Sequence, residues 1–307
     1  MLVSYKKALD LILASEIVAV PTETVYGLAG DATSDRAVLK IYDTKKRPKY
    51  NPLIIHVNSA EQAMRYGEFT EDATKLAANF WPGPMTLVLK RKKSDISSIA
   101  TAGLDTIAIR CPSHPKIRKL IEDSKKPLAA PSANLYTKLS PTKSSHVEMG
   151  FGGMIPVLNG GSSIFGIEST IIECLERISI LRHGFITSDI ISKILGFTPY
   201  YDNSSGKSPG SDKVHYSPEC KMRINADFAR DNEIAVNFGM VPIGGAKAFN
   251  LSKKGDLIEA ASKLYDILSK CDREAKLLGS ESIAVAKIPE LGIGLAINDK
   301  LKRGAKT

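Results

Sequence analysis

Apolar positions along the first 195 residues alternate between two periods. In residues 5–16 they fall at Ala8, Leu11, Ile12 and Ala14, the three-and-four spacing of one helix face. Residues 17–20 are an unbroken apolar run stopped by Pro21, which reads as a short buried strand. The same rhythm predicts a helix over 36–44 with Asp35 as its cap, a strand over 53–57, and a helix opened by Thr70 that reaches Phe80 before Trp81-Pro-Gly-Pro84. Strands over 85–90 and 106–110, a helix over 115–123, an extended piece at 127–130, strands over 155–158, 169–173 and 178–181, and a helix over 187–195 complete the first part. Helices alternating with strands imply an α/β fold with helices packed on a sheet. Residues 200–219 break the pattern: Asp-Asn-Ser-Ser-Gly-Lys-Ser-Pro-Gly-Ser-Asp has no apolar period and reads as a linker. A smaller unit follows, with strand 233–238, helix 255–278, strand 282–288 and a last helix from Gly294, in outline a small parallel α/β domain. The expected organisation is therefore a first domain over 1–199, a linker over 200–219 and a second domain over 220–307.

Composition narrows the class without naming a function. The chain has 307 residues, with 43% apolar and 24% charged, which is globular usage. No window approaches the ~18 consecutive apolar residues of a membrane helix, and the start lacks a signal peptide's apolar core. A cytoplasmic protein with no membrane partner is expected. Cys111, Cys174, Cys220 and Cys271 are too scattered for a Cys-x-x-Cys site or a disulfide framework, so buried thiols are expected. The net charge of +9 is shared: 27 Lys/Arg stand against 22 Asp/Glu in residues 1–219, and 15 against 11 in 220–307. It fits either solvated faces or an anionic ligand such as a nucleotide or RNA.

Four segments concentrate polar chemistry. Pro21-Thr-Glu-Thr-Val-Tyr-Gly-Leu28 follows a strand directly, where open α/β sheets bind ligands, though a capped turn would look the same. Thr44-Lys-Lys-Arg-Pro-Lys-Tyr-Asn-Pro-Leu53 crowds four cations beside prolines in a loop, suited to water or to a polyphosphate. It is no P-loop, because Gly-x-x-x-x-Gly-Lys-Ser/Thr is absent. Ala129-Ala-Pro-Ser-Ala-Asn, with Ser140-Pro-Thr142, offers short uncharged donors and acceptors that serve a ligand or a turn equally. Phe165-Gly-Ile-Glu-Ser-Thr-Ile-Ile172 leads to Arg182 at a strand end, a plausible anion ligand. The five histidines are dispersed, with no His-x-x-x-His or Glu-x-x-His pair, so no protein metal site is expected.

Read in order, these segments resemble the YrdC/Sua5 family, the threonylcarbamoyl-AMP synthases. The set is Pro21–Leu28, Lys45-x-Arg47-Pro48, Asn51-Pro-Leu53 with His56, Trp81-Pro-Gly-Pro-Met-Thr86, Thr106-x-x-x-Arg110, Pro131-Ser-Ala-Asn134 with Ser140-Pro-Thr142, Gly166-Ile-Glu-Ser-Thr170 and Leu181-Arg182. His215-Tyr-Ser-Pro218, Asn250-Leu-Ser, Gly255-Asp-Leu and Gly294-Leu-Ala-Ile-Asn298 resemble the longer two-domain Sua5 form. Two places depart: the family's Lys-Gly-Arg-Pro is Lys45-Lys46-Arg47-Pro48, and its Arg-Pro-Gly is Arg182-His183-Gly184. The resemblance implies a twisted mixed sheet with helices, followed by a small Rossmann-like domain. It implies synthesis of threonylcarbamoyl-adenylate and pyrophosphate from L-threonine, bicarbonate and ATP with Mg²⁺, for the t6A37 modification of tRNA. Lys45, Arg47, Ser132 and Asn134 would handle phosphates. Arg47, Asn51, Thr106, Ser132, Ser140, Arg182 and Tyr216 would bind ATP, and Thr24, His56, Arg110 and Ser169 would bind threonine. The linker would close over the cleft, and the product would pass to a tRNA threonylcarbamoyl-transferase, with direct tRNA binding possible but not required. Two rivals are an RNA-binding protein using a concave basic face and a carbamoyltransferase of hydrogenase maturation. The first lacks an RNP motif, and the second lacks its zinc-finger cysteines.

Overall fold

The computed structural model describes residues 1–202, 214–280 and 282–305. The first part contains β1 (Leu2–Val3), α1 (Tyr5–Leu13), β2 (Val18–Val20), β3 (Gly27–Asp31), α2 (Asp35–Lys45), β4 (Ile54–His56), α3 (Ala60–Met64), β5 (Gly67–Glu68) and α4 (Glu71–Phe80). It continues with β6 (Met85–Arg91), β7 (Thr106–Arg110), α5 (Pro115–Ser124), β8 (Leu128–Ala129), α6 (Ser144–Gly150), β9 (Val157–Leu158), β10 (Thr170–Cys174), β11 (Ile178–Arg182), α7 (Ser188–Leu195) and β12 (Tyr200–Tyr201). The second part holds β13 (Lys221–Ala226), β14 (Glu233–Asn237), β15 (Lys247–Asn250), α8 (Leu257–Leu278), β16 (Ser282–Ala286) and α9 (Ile293–Gly304).

All strands of the first part join one mixed sheet, in the order β1-β9-β2-β3-β8-β4-β7-β6-β10-β11-β12 with β5 on β6. Parallel pairs such as β4 with β7 and β6 with β10 alternate with antiparallel ones such as β6 with β7 and β10 with β11. The sheet runs on through Tyr201, which pairs with Ile180, so the first folding unit passes the expected end at 199. The helices start where side chains serve as caps. Thr70 accepts the Ala73 N–H as expected, whereas α2 is capped by Ser34 rather than Asp35, which is its first residue. The second sheet, β13-β16-β14-β15, is parallel at every pairing. Its main helix, α8, is capped by Asp256, which accepts from the N–H groups of Ile258 and Glu259, and ends at Gly279. Its inward stripe is Ala260, Ala261, Leu264, Tyr265, Leu268, Cys271 and Ala275.

The second hydrophobic core is not confined to the second domain. Val25 and Ile167, from loops of the first domain, and Tyr216, from the linker, are buried in one cluster with Leu264, Ile283 and Leu301. Gly166 lies where the chains press closest: a Cβ there would stand 2.5 Å from the Ser262 backbone of α8, and its φ is +70°. Only glycine relieves both constraints. All four cysteines are unpaired, with Cys111, Cys174 and Cys271 buried. Among the described residues no helix is long and apolar enough to cross a membrane.

Candidate active site

Loops at strand ends converge on one narrow cleft of about 50 Å³, partly open to solvent. One wall starts from register. β4 and β7 are parallel neighbours with His56 opposite Arg110, so a buried imidazole and a buried guanidinium stand side by side. Arg110 donates from Nη2 to Glu23 Oε1 at 2.5 Å, from Nη1 to Thr24 Oγ1 at 2.9 Å and from Nε to the Gly83 carbonyl at 3.3 Å. A guanidinium has five N–H donors, so two are left for a ligand. Glu23 also accepts from the Ser113 N–H at 3.0 Å. Burial alone would raise its carboxyl, but Arg110 overrides that and holds it below its ordinary value. Thr22 shapes the turn: its hydroxyl accepts the N–H groups of Thr24 and Val25 and donates to the Val25 carbonyl at 2.6 Å.

Arg47 and Arg182 also line the cleft. Arg182, at the end of β11, clamps Ser169 by donating from Nη2 to its carbonyl at 2.9 Å and to its hydroxyl at 3.0 Å. Thr86 Oγ1 lies 2.8 Å from the same Ser169 hydroxyl. Gly184 stays a glycine because a Cβ there would meet the Thr170 nitrogen at 2.2 Å. Arg47 is fixed from behind, donating to the Asn51 carbonyl and side-chain oxygen and to the Pro52 carbonyl. Asn51 therefore braces Arg47 and is not among the residues lining the cleft.

Lys45 differs most from its expected setting. It is the last residue of α2 and is buried, not a solvated loop cation. Its ammonium donates to the carbonyls of Ser132 and Asn134, pinning the loop that carries both side chains. Burial, then the charge of Arg47, push its pKa well below the ordinary lysine value. Ser132 lines the cleft, whereas Asn134 and Ser140 line a second cavity of about 300 Å³ between the loop over 134–140 with α6 and helix α8. Thr106 lies at the other end of β7 from Arg110 and lines neither cavity.

The cleft is positive. Arg47, Arg110 and Arg182 face it with one carboxylate, Glu168. Two imidazoles report the field. His56 is pushed down to about 3 by burial, with Arg110 adding and Glu23 opposing, so it is neutral. His215 is driven well below its ordinary value by burial and then by Arg47, Lys45, Arg182 and Arg303. His215 and Tyr216 both line the cleft. Ser217 fixes this end of the linker, its N–H donating to the Thr137 carbonyl at 2.8 Å. Tyr216 is buried with φ +62° and packs against Tyr265, with the Lys300 ammonium 5.4 Å from its ring. Residues 203–213 of the expected lid lie outside the described residues.

Comparison with known proteins adds identity to this geometry. Residues 10–184 match the family model of the Sua5, YciO and YrdC proteins, described as telomere recombination. The chain belongs to the Sua5/YciO/YrdC family. Residues 186–306 of this family member match a second model, the C-terminal domain of threonylcarbamoyl-AMP synthase. A threonylcarbamoyl-AMP synthase of Pyrococcus abyssi is 37% identical over 320 residues, covering 97% of this chain and 93% of that one. One from Bacillus subtilis is 36% identical, covering 97% and 92%. The crystal structure of P. abyssi Sua5 complexed with L-threonine matches with a TM-score of 0.89 at 34% identity, over 98% of this chain and 94% of that chain.

The cleft of this Sua5/YciO/YrdC chain contains groups that sequence reasoning left without a role. Glu23 neutralises Arg110, Thr86 supports Ser169, and Glu168 faces the cavity. Each stood inside a quoted motif, but only the three-dimensional pairing shows what it touches. His183, where the family carries proline, stacks on Tyr201 at 4.2 Å and accepts the Lys300 ammonium on its carbonyl at 2.7 Å.

Proposed function

We propose that the chain is a threonylcarbamoyl-AMP synthase, a nucleotidyltransferase that makes threonylcarbamoyl-adenylate and pyrophosphate from L-threonine, bicarbonate and ATP. The observation that carries this reading is the convergence of three buried guanidiniums, neutral hydroxyls and a neutral imidazole on one cleft. That set suits a reaction needing charge neutralisation and positioning more than a protein nucleophile. Threonine's carboxylate takes the two remaining donors of Arg110, beside Thr24, His56 and Ser169. Its amine forms a C–N bond with bicarbonate carbon, with loss of water, to give a carbamate. A carbamate oxygen attacks the α-phosphorus, and the bond from that phosphorus to the bridging oxygen of pyrophosphate breaks. Arg47, Arg182 and Ser132 hold phosphate oxygens as charge shifts to the leaving group. Lys45 and Asn51 act through the groups they brace, and Thr106, Asn134 and Ser140 belong to the nucleotide's surroundings.

Among the described residues no three His, Cys, Asp or Glu side chains cluster to hold a metal. Mg²⁺ would accompany the triphosphate, where it would neutralise phosphate charge. The segment that follows β12 acts as the lid, with His215 and Tyr216 at its fixed end, and keeps water from the labile adenylate. The two functional units are the first domain, over about 1–201, and the second, over 220–307. The product supplies a tRNA threonylcarbamoyl-transferase in the cytoplasm, and tRNA binding by this chain is not required. The test is incubation of the pure protein with ATP, bicarbonate and labelled threonine. Pyrophosphate release and a labelled adenylate that both require threonine and bicarbonate are expected. ATP turnover indifferent to both would overturn the reading.

A further inference from the structure

Among the described residues Glu168 is the one carboxylate lining the cleft, and both of its oxygens are committed. Oε1 accepts the Ser140 hydroxyl at 2.5 Å, and Oε2 accepts the Tyr265 hydroxyl at 2.8 Å. Ser140 is 1% exposed, Tyr265 1% and Glu168 6%. Tyr265 belongs to α8 of the second domain, 97 residues from Glu168 in sequence. Burial and the charge of Glu168 hold its phenol well above the ordinary value, so it stays a donor.

The direction of these bonds limits what Ser140 can recognise. A serine hydroxyl has one O–H and two lone pairs, and a carboxylate only accepts. The proton of Ser140 is therefore spent on Glu168, and its oxygen offers only acceptor lone pairs. Phosphate oxygens are acceptors too, so Ser140 has nothing to donate to them. In the second cavity, which Lys138, Arg273 and Lys276 supply with donors, one neighbour of Ser140 shares its polarity. Asn134 gives its amide N–H groups to the carbonyls of Leu135 and Lys138, leaving a buried Oδ1 without a partner. Ser140, Asn134 and Tyr265 all border that cavity. The hydrogen-bond donors of a nucleotide are its ribose hydroxyls and the amino group of adenine.

We infer that Tyr265 and Glu168 form a relay that sets Ser140 as an acceptor for a donor on the nucleoside, not as a phosphate ligand. Tyr265 is then a positioning residue through which the second domain tunes nucleotide recognition. The inference rests on the nucleotide-dependent reading above, but it concerns binding rather than turnover, so the two fail separately.

The test is calorimetry on the full chain and its Ser140→Ala and Tyr265→Phe variants. The probes are ATP, 2′-deoxy-ATP, 3′-deoxy-ATP, inosine triphosphate and tripolyphosphate. Both variants are expected to weaken ATP by up to about tenfold, the range of one hydrogen bond. They leave tripolyphosphate and threonine unchanged, and they lose their effect against the single analogue that lacks the recognised donor. That analogue assigns the donor to ribose or base. The double variant binds ATP no more weakly than Ser140→Ala alone. Equal weakening of tripolyphosphate, or equal weakening across every analogue, overturns the inference, as does a folded Tyr265→Phe chain that binds ATP normally. If Tyr265→Phe does not fold, the Ser140→Ala pattern across the probes decides. Wild-type chain that binds ATP but makes no adenylate refutes the functional reading and leaves the relay standing; chain that binds no ATP refutes both.

Discussion

Acid should destabilise this protein well above the pH at which its carboxylates titrate, and His56 gives the size of the effect. Its imidazole is 2% exposed and is pushed down to about 3, chiefly by burial. An unfolded chain protonates histidine near pH 6.5. Below that pH the unfolded state binds a proton that the folded state refuses, so stability falls as pH falls. The contribution is fully present above about 6.5 and drains away through the window down to about 3. At pH 5.0 the chain is about 1.5 pH units into that window, and at ~1.36 kcal/mol per unit His56 alone removes about 2 kcal/mol. His114, His146, His183 and His215 are all shifted down by burial as well, so they act with the same sign. The buried Glu23 is held low despite its burial, because Arg110 pairs with it, so its own loss begins only in stronger acid. Urea unfolding at pH 7.5 and 5.0, followed by circular dichroism, measures the total. The same pair of measurements on His56→Asn should show an acid penalty smaller by about 2 kcal/mol. If His56→Asn loses as much stability as wild type on acidification, or if the His56 ring titrates by NMR between pH 6 and 7, the reasoning is refuted.

Other substitutions separate bracing from binding. Lys45→Met leaves the Ser132 and Asn134 carbonyls without their partner, at about 1–3 kcal/mol for each buried group left unpaired; urea midpoint and pyrophosphate release should fall together. Arg110→Ala should weaken threonine far more than ATP by calorimetry, and equal losses would deny it a carboxylate-specific role. Gly166→Ala meets the Ser262 backbone and should lower the melting temperature and open the domain contact to limited proteolysis. A chain cut after Asp202 exposes Val25 and Ile167, so it should bind a hydrophobic dye and lose nucleotide affinity.

The sequence showed elements more clearly than it showed surroundings. Strand 106–110 and the Thr70-capped helix were legible because a period of two and a capping hydroxyl are local signals. β13 was missed although Lys-Met-Arg-Ile-Asn-Ala alternates polar with apolar residues, and β15, Lys-Ala-Phe-Asn, is too short to show a period. Thr106 and Arg110 share a strand face, but four residues span ~13 Å, which leaves Thr106 outside the cleft that Arg110 lines. Lys45 looked like a loop cation because nothing in Lys-Lys-Arg-Pro-Lys separates the lysine that caps buried carbonyls from the exposed Lys46 and Lys49. The pairings Arg110 with Glu23 and Ser140 with Glu168 join residues 87 and 28 positions apart, and composition carries no trace of such distances. Motif order nevertheless brought Thr24, Arg47, His56, Arg110, Ser132, Ser169, Arg182 and Tyr216 to one cleft.

The shared second core also sets a timetable on the ribosome. Val25 and Ile167 are made early, yet the helix that covers them, α8, and the closing Leu301 come much later in the chain. Between the end of β12 and the end of α9 about 100 residues must still be added, roughly 5–20 s at ordinary rates of elongation. For that interval a completed first domain carries an open apolar patch beside its cleft. Such a patch suits the transient attention of a chaperone. It also makes synthesis speed through residues 203–304 a determinant of how much chain survives to fold.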